Sequence, residues 1–113
     1  MAKVPQVIIY GTFFAEFYNK QTQKVRERID WTIGLIEELN IIPEKYLKHL
    51  TGTDLYEIRV SSGNNIFRIF CFFDKGKLVV LVSAFQKKTQ KTPANEIERA
   101  VKLKKQYYED KEK

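Results

Sequence analysis

A chain of 113 residues, 43% hydrophobic and 13% aromatic, is sized for a single folded domain spanning 1–113, which excludes two domains and a disordered tail alike. Its net charge of +6 is local: Arg59 to Lys91 holds seven basic residues and one acid, Asp74, an imbalance that points to a polyanionic partner. No apolar run approaches the roughly 20 residues of a membrane span, no export signal is legible at the N-terminus, and one cysteine with one histidine supports neither an internal disulfide nor a zinc site of usual composition.

The expectation is therefore a cytoplasmic protein with no membrane association, no metal and no cofactor. Val4–Tyr10 is β-branched and aromatic and predicts a strand that ends at Gly11. Thr12 then caps a helix to Lys20, with Phe13, Phe14, Phe17 and Tyr18 at helical spacing. Thr22 starts a second helix to about Asn40, in which Val25, Ile29, Ile33, Ile36 and Leu39 form an apolar stripe. Gly34 weakens it slightly and Pro43 marks its end.

Three strands follow in succession: Asp54–Val60, Asn65–Phe73 and Leu78–Phe85. Short polar connections containing Gly63 and Gly76 predict antiparallel hairpins. The strands are apolar on both faces, so helices should cover one face and something else part of the other. Thr92 as N-cap and Pro93 at the first helical position announce a final helix. Its apolar face is read as Ile97, Ala100, Val101, Tyr107 and Tyr108, and the segment from Lys102 to Lys113 as a solvated end. The order is β-α-α-β-β-β-α, an α+β domain.

Side chains alternate across a strand, so parity assigns faces. Two-residue turns at Ser62-Gly63 and Lys75-Gly76 would set Arg68 opposite Glu57 on one side and Ser83 on the other, with Arg59 opposite Ile66. One face then gathers Glu57, Arg59, Arg68, Ser83 and Phe85, with Lys87 and Lys88 beyond the strand end. An arginine in mid-strand between Phe67 and Ile69 needs a partner for its charge. That partner is either Glu57, in a structural ion pair, or a phosphate, whose oxygens a guanidinium fork matches. Two arginines and up to three lysines against one carboxylate favour the phosphate. Phe85 is either core or a stacking platform for a base. His49 reads as surface and Cys71 as core.

Three strings carry a resemblance. They are Leu55-Tyr56-Glu57-Ile58-Arg59, then Asn65-Ile66-Phe67-Arg68-Ile69-Phe70, then Phe85-Gln86-Lys87-Lys88-Thr89-Gln90-Lys91-Thr92-Pro93 followed by Glu96-Ile97. In this order they resemble the HigB branch of the RelE/ParE toxin superfamily, a set of phage-derived proteins of type II toxin–antitoxin systems. The resemblance runs from about Val7 to Tyr108.

It implies the compact RelE-like fold and a metal-independent, ribosome-dependent endoribonuclease. Such a toxin cleaves mRNA in the ribosomal A site, touches ribosomal RNA there, and is silenced by a helix-turn-helix antitoxin of the HigA kind. By the same resemblance Arg59 and Arg68 neutralise the scissile phosphate, and Lys87 and Lys88 bind it and carry protons. Phe85, Ser83 and Lys91 contact the substrate. The chain departs from many relatives in having Ser83 where they carry a histidine, so proton transfer would fall to a lysine or to the ribosome. The alternatives are a ParE-like gyrase inhibitor without nuclease activity, and a non-catalytic or decayed RNA-binding member.

Overall fold

The computed structural model describes residues 6–39, 41–75 and 78–112. The elements are β1 (Gln6–Ile9), α1 (Phe13–Asn19), α2 (Gln23–Glu38), β2 (Leu47–His49), β3 (Tyr56–Ser62), β4 (Asn65–Asp74), β5 (Leu78–Lys87) and α3 (Ala94–Lys111). This is the expected α+β order with one addition, the three-residue strand β2. Val4, Asn40, Gly76, Lys77 and Lys113, on which parts of the sequence reading fell, lie outside the described residues. Among the described residues no helix is long and apolar enough to cross a membrane.

One mixed sheet runs β1-β5-β4-β3-β2. β1 lies parallel to β5, and the remaining neighbours are antiparallel. The apolar content of β4 and β5 on both faces is used on both faces. Toward α1 and α2, Ile58, Val60, Phe67, Ile69, Cys71, Val79 and Leu81 meet Phe14, Val25, Ile29 and Ile36. Toward α3, Leu55, Phe70, Phe72, Val80, Val82 and Phe85 meet Ala100, Leu103 and Tyr107. Each fully buried Ile, Leu or Phe contributes about 2 kcal/mol of transfer free energy, so both layers are needed to hold the central strands.

α2 begins as its sequence demands, with Thr22 Oγ1 accepting from the Val25 N–H at 3.3 Å. Its buried stripe is Val25, Ile29, Thr32 and Ile36. α3 differs from expectation at its start. The N-cap is Pro93, not Thr92, and its carbonyl accepts from Glu96 and Ile97; a proline fits there because no N–H is required of it. Its buried residues are Ala100, Leu103 and Tyr107, whereas Val101 is 47% exposed. The far end of α3 is not a solvated tail. Lys111 reaches Asp74 at 2.7 Å, and Tyr107 and Tyr108 donate to the same carboxylate at 2.8 and 3.4 Å.

The register also departs from the two-residue turns assumed above. Ser62 pairs with Asn65, so the turn is Gly63-Asn64, and Gly63 takes a positive φ of 59°. Asp74 pairs with Leu78, and a bulge at Val82 adds one more residue to β5 opposite the Phe70–Cys71 step. Arg68 therefore faces Arg59 and Phe85, not Glu57 and Ser83. Both displacements around Arg68 amount to two residues, so Glu57, Arg59, Arg68, Ser83 and Phe85 keep the face that parity assigned. Beyond the bulge the shift is one residue, and Val79, Val80 and Leu81 exchange faces.

Candidate functional site

α3 covers the Phe72–Val80 half of its sheet face and leaves the half nearer the β3–β4 turn to polar residues. Three cross-strand rows build that half. Ser61, Ile66 and Lys87 form the outermost row; Arg59, Arg68 and Phe85 the next; Glu57, Phe70 and Ser83 the third. The third row extends onto β2, where Lys48 pairs with Glu57. Four cations thus share this half of the face with a single carboxylate.

The carboxylate does not neutralise the set. Glu57 and Arg68 are both buried and lie 3.6 Å apart as an ion pair. Neither Glu57 Oε2 nor Arg68 Nε makes a hydrogen bond among the described residues. Arg68 Nη1 donates to the Phe67 carbonyl at 3.1 Å, which engages one of the five N–H donors of the guanidinium. Burial first, then the charge of Arg59, pull the Arg68 pKa down against the opposing pull of Glu57. Lys87 is half-buried and shifted downward too, by burial first and then by Arg68, with Arg59 and Lys48 adding and Glu57 opposing. A group held in this way gives up its proton more readily than a surface lysine.

An open cleft of about 460 Å³ lies over this face, lined by Ile66, Arg68, Lys87, Lys88, Thr89 and Gln90. Lys88 and Lys91 are exposed, and the segment carrying them is shaped by a Thr89 Oγ1 bond to the Lys91 carbonyl at 2.8 Å. The structure thus brings Arg59, Arg68 and Lys87 together, sets Lys88 on the cleft wall, and leaves Lys91 outside the lining. Phe85 is 8% exposed and packs on Phe70 with ring centroids 5.4 Å apart. It is a core residue beside Arg68, outside the cleft lining, instead of an open stacking platform. Ser83 is fully buried, and its hydroxyl has no partner among the described residues.

Lys48 escaped the sequence reading. It stands in a three-residue strand with no periodicity of its own, beside Glu44 at 3.9 Å, and only the pairing with β3 turns it toward the site. His49, expected at the surface, is exposed; its Nε2 lies 2.6 Å from the Thr53 carbonyl. Cys71 is buried, and its thiol pKa is pushed up by burial.

Residues 16–105 match the model of a family described as phage derived protein Gp49-like (DUF891). None of the curated proteins matches the chain.

Proposed function

The chain belongs to the Gp49-like family of phage-derived proteins, and we propose that it is the toxin of a type II toxin–antitoxin pair, an endoribonuclease that cuts mRNA on the ribosome. The family's association with such toxins supports the first part of this reading. The observation that carries the second is the directly opposed pair Arg59 and Arg68, with Lys87 in the adjoining row. Like charges set opposite each other in a sheet are destabilising, and a bound phosphate reverses the sign of that interaction.

The reaction uses the substrate's own 2′-hydroxyl. Its oxygen bonds to the adjacent phosphorus, the P–O5′ bond breaks, and the products end in a 2′,3′-cyclic phosphate and a 5′-hydroxyl. Arg59 and Arg68 hold the phosphoryl oxygens as negative charge grows on them. Lys87, with its lowered pKa, takes the 2′ proton, and Lys88 donates to the leaving oxygen, a role that its position in the cleft lining supports. Lys48 adds charge from the far side, and Lys91 grips the RNA backbone or ribosomal RNA. The antitoxin partner is a helix-turn-helix protein that presents acidic residues to this face.

The test is induced expression with mapping of transcript 5′ ends. The expected outcome is growth arrest with new ends inside codons, lost in the folded Arg68→Ala variant. Intact transcripts alongside DNA breaks would instead identify a gyrase-inhibiting toxin. Intact transcripts with normal growth would leave an RNA-binding protein without catalysis.

A further inference from the structure

A second cleft, of about 500 Å³, opens on the helical side of the β3–β4 turn, between α2 and that turn. It contains the chain's single tryptophan. Trp31 is 45% exposed even though it is large enough to be worth burying. It does not sit alone. The Arg28 guanidinium lies over its ring, 4.1 Å from the centroid, and Tyr46 meets the ring at 75° with centroids 5.8 Å apart. Arg28 is fixed by donation from Nε to the Ser61 carbonyl at 3.1 Å.

Lys24 lines the same cleft one turn earlier on α2. The one carboxylate in the lining, Glu27, already accepts from Gln23 at 3.2 Å. Lys45 stands 5.5 Å from the Tyr46 ring. The result is a half-exposed aromatic platform flanked by cations. A core would bury the ring, and an apolar protein interface would not surround it with lysines.

The position of this cleft relative to the basic face gives it meaning. Ser61 supplies the carbonyl that holds Arg28, and it belongs to the cross-strand row Ser61, Ile66, Lys87. Two interstrand steps of about 5 Å each separate Ser61 from Lys87. The two clefts therefore flank one end of the sheet, joined around the turn at Ser62, Gly63 and Asn64.

We propose that Trp31, with Arg28 and Lys24, is a second RNA-binding subsite. It stacks an unpaired base of the same strand whose phosphate lies at Arg59 and Arg68. This rests on the reading of the basic face as an RNA site, and extends it to a strand that passes over the turn. Stacking on an aromatic ring is tolerant of base identity, and the flanking cations follow the backbone.

Because Trp31 is the only tryptophan, its emission reports on the cleft directly. The full-length protein is titrated with a ten-nucleotide oligoadenylate while Trp31 emission is followed. Anisotropy of the same oligonucleotide, end-labelled, measures binding independently. Saturable quenching is expected. Affinity should fall about 10- to 100-fold in Trp31→Leu, and the log–log salt slope should become shallower by about 0.7 in Lys24→Gln. Circular dichroism melts establish that the variants fold.

Binding seen by anisotropy with unmoved emission, and with Trp31→Leu binding as tightly as the parent, would overturn the subsite and leave the nuclease reading standing. Quenching without transcript cleavage in cells would do the reverse. No binding at all overturns the subsite, while the transcript map still decides the function. An emission shift produced by the antitoxin but not by the oligonucleotide would reassign Trp31 to a protein interface.

Discussion

Arg59 and Arg68 stand directly opposite each other across β3 and β4, and the nearest carboxylate, Glu57, lies one row away on a loose 3.6 Å contact with Arg68. A sheet gains nothing from that pairing in the free protein. Opposed like charges disfavour the folded state by several tenths of a kcal/mol, and the charge of Arg59 adds to burial, the larger cause, in lowering the pKa of Arg68.

Arg59→Leu is accordingly expected to stabilise the fold by about 0.5 kcal/mol while reducing RNA cleavage by about 100-fold or more. Urea unfolding and cleavage of a reporter transcript measure the two effects. A variant that loses stability and activity together would show that Arg59 serves the fold. Arg68→Lys separates charge from geometry. It keeps the cation, loses the fork, and should lose most of the activity.

The face of each site residue on β3 to β5 was legible in the sequence, and the pairings were not, for one physical reason. Side-chain direction follows parity wherever a strand is regular, whereas register depends on turn geometry and bulges, and the bulge in β5 reverses the faces of Val79 to Leu81 beyond it. Moving the turn from Ser62-Gly63 to Gly63-Asn64 displaced the β3–β4 register by two residues. The longer connection after Asp74 and the bulge at Val82 together displaced β5 by two. Glu57, Arg59, Arg68, Ser83 and Phe85 stayed on one face in spite of both, and Lys87, expected beyond the strand end, joins them as the last residue of β5. Lys48 and Lys111 were invisible for a different reason. Each gains its role from a partner distant in sequence, Glu57 across β2 and β3 for the one, and Asp74 for the other. Trp31 carried no motif, and its exposure is a property of the packed helix alone.

Lys87 makes the proton chemistry testable through pH. Burial and the charges of Arg68, Arg59 and Lys48 outweigh Glu57 and hold its pKa below the ordinary 10.5. As a base it works when neutral, so cleavage should rise with pH through the lowered pKa and then level off. Lys87→Arg, which does not titrate in this range, should lose that limb. Stability follows the same group. Between the lowered folded value and 10.5 the unfolded chain binds more protons, so stability rises with pH across that window. Lys87→Met should be more stable than the parent near neutrality and flatter toward pH 10 in urea titrations. A parent curve that is already flat would mean Lys87 is an ordinary surface lysine.

Gly63 sets the register of the site from the turn. Its φ of 59° makes it the first central residue of the Gly63-Asn64 turn, where a primed hairpin geometry needs a left-handed residue. A Cβ placed there meets nothing within 4 Å, so the backbone conformation alone penalises substitution. Gly63→Ala should cost about 1 kcal/mol in a thermal melt. Gly63→Asn, which tolerates positive φ better, should cost less. Equal losses in the two variants would show that crowding, not φ, is the constraint.

Asp74 tests how α3 is held, and hence how half of the site face is kept dry. It sits at the end of β4, accepts from Tyr107, Tyr108 and Lys111, and is buried. The bond from Lys111 comes first among the causes that hold its pKa below the usual carboxylate value, with those from the two tyrosines adding and burial opposing. The unfolded chain therefore takes up this proton at higher pH than the folded one. The stabilisation is complete above the ordinary carboxylate pKa of 3.8 and is lost as pH falls through the lowered folded value. Asp74→Asn should remove about 2 kcal/mol at pH 7, from loss of the charged hydrogen bonds, and should flatten the acid limb of the stability curve. Lys111→Met should reproduce part of both effects. Because Tyr107 also packs on Phe72 and Tyr10, the freed end of α3 should exchange its amide hydrogens faster, while those of β4 beside Arg68 stay protected. Uniform acceleration across the sheet would mean instead that α3 and the basic face unfold as one unit.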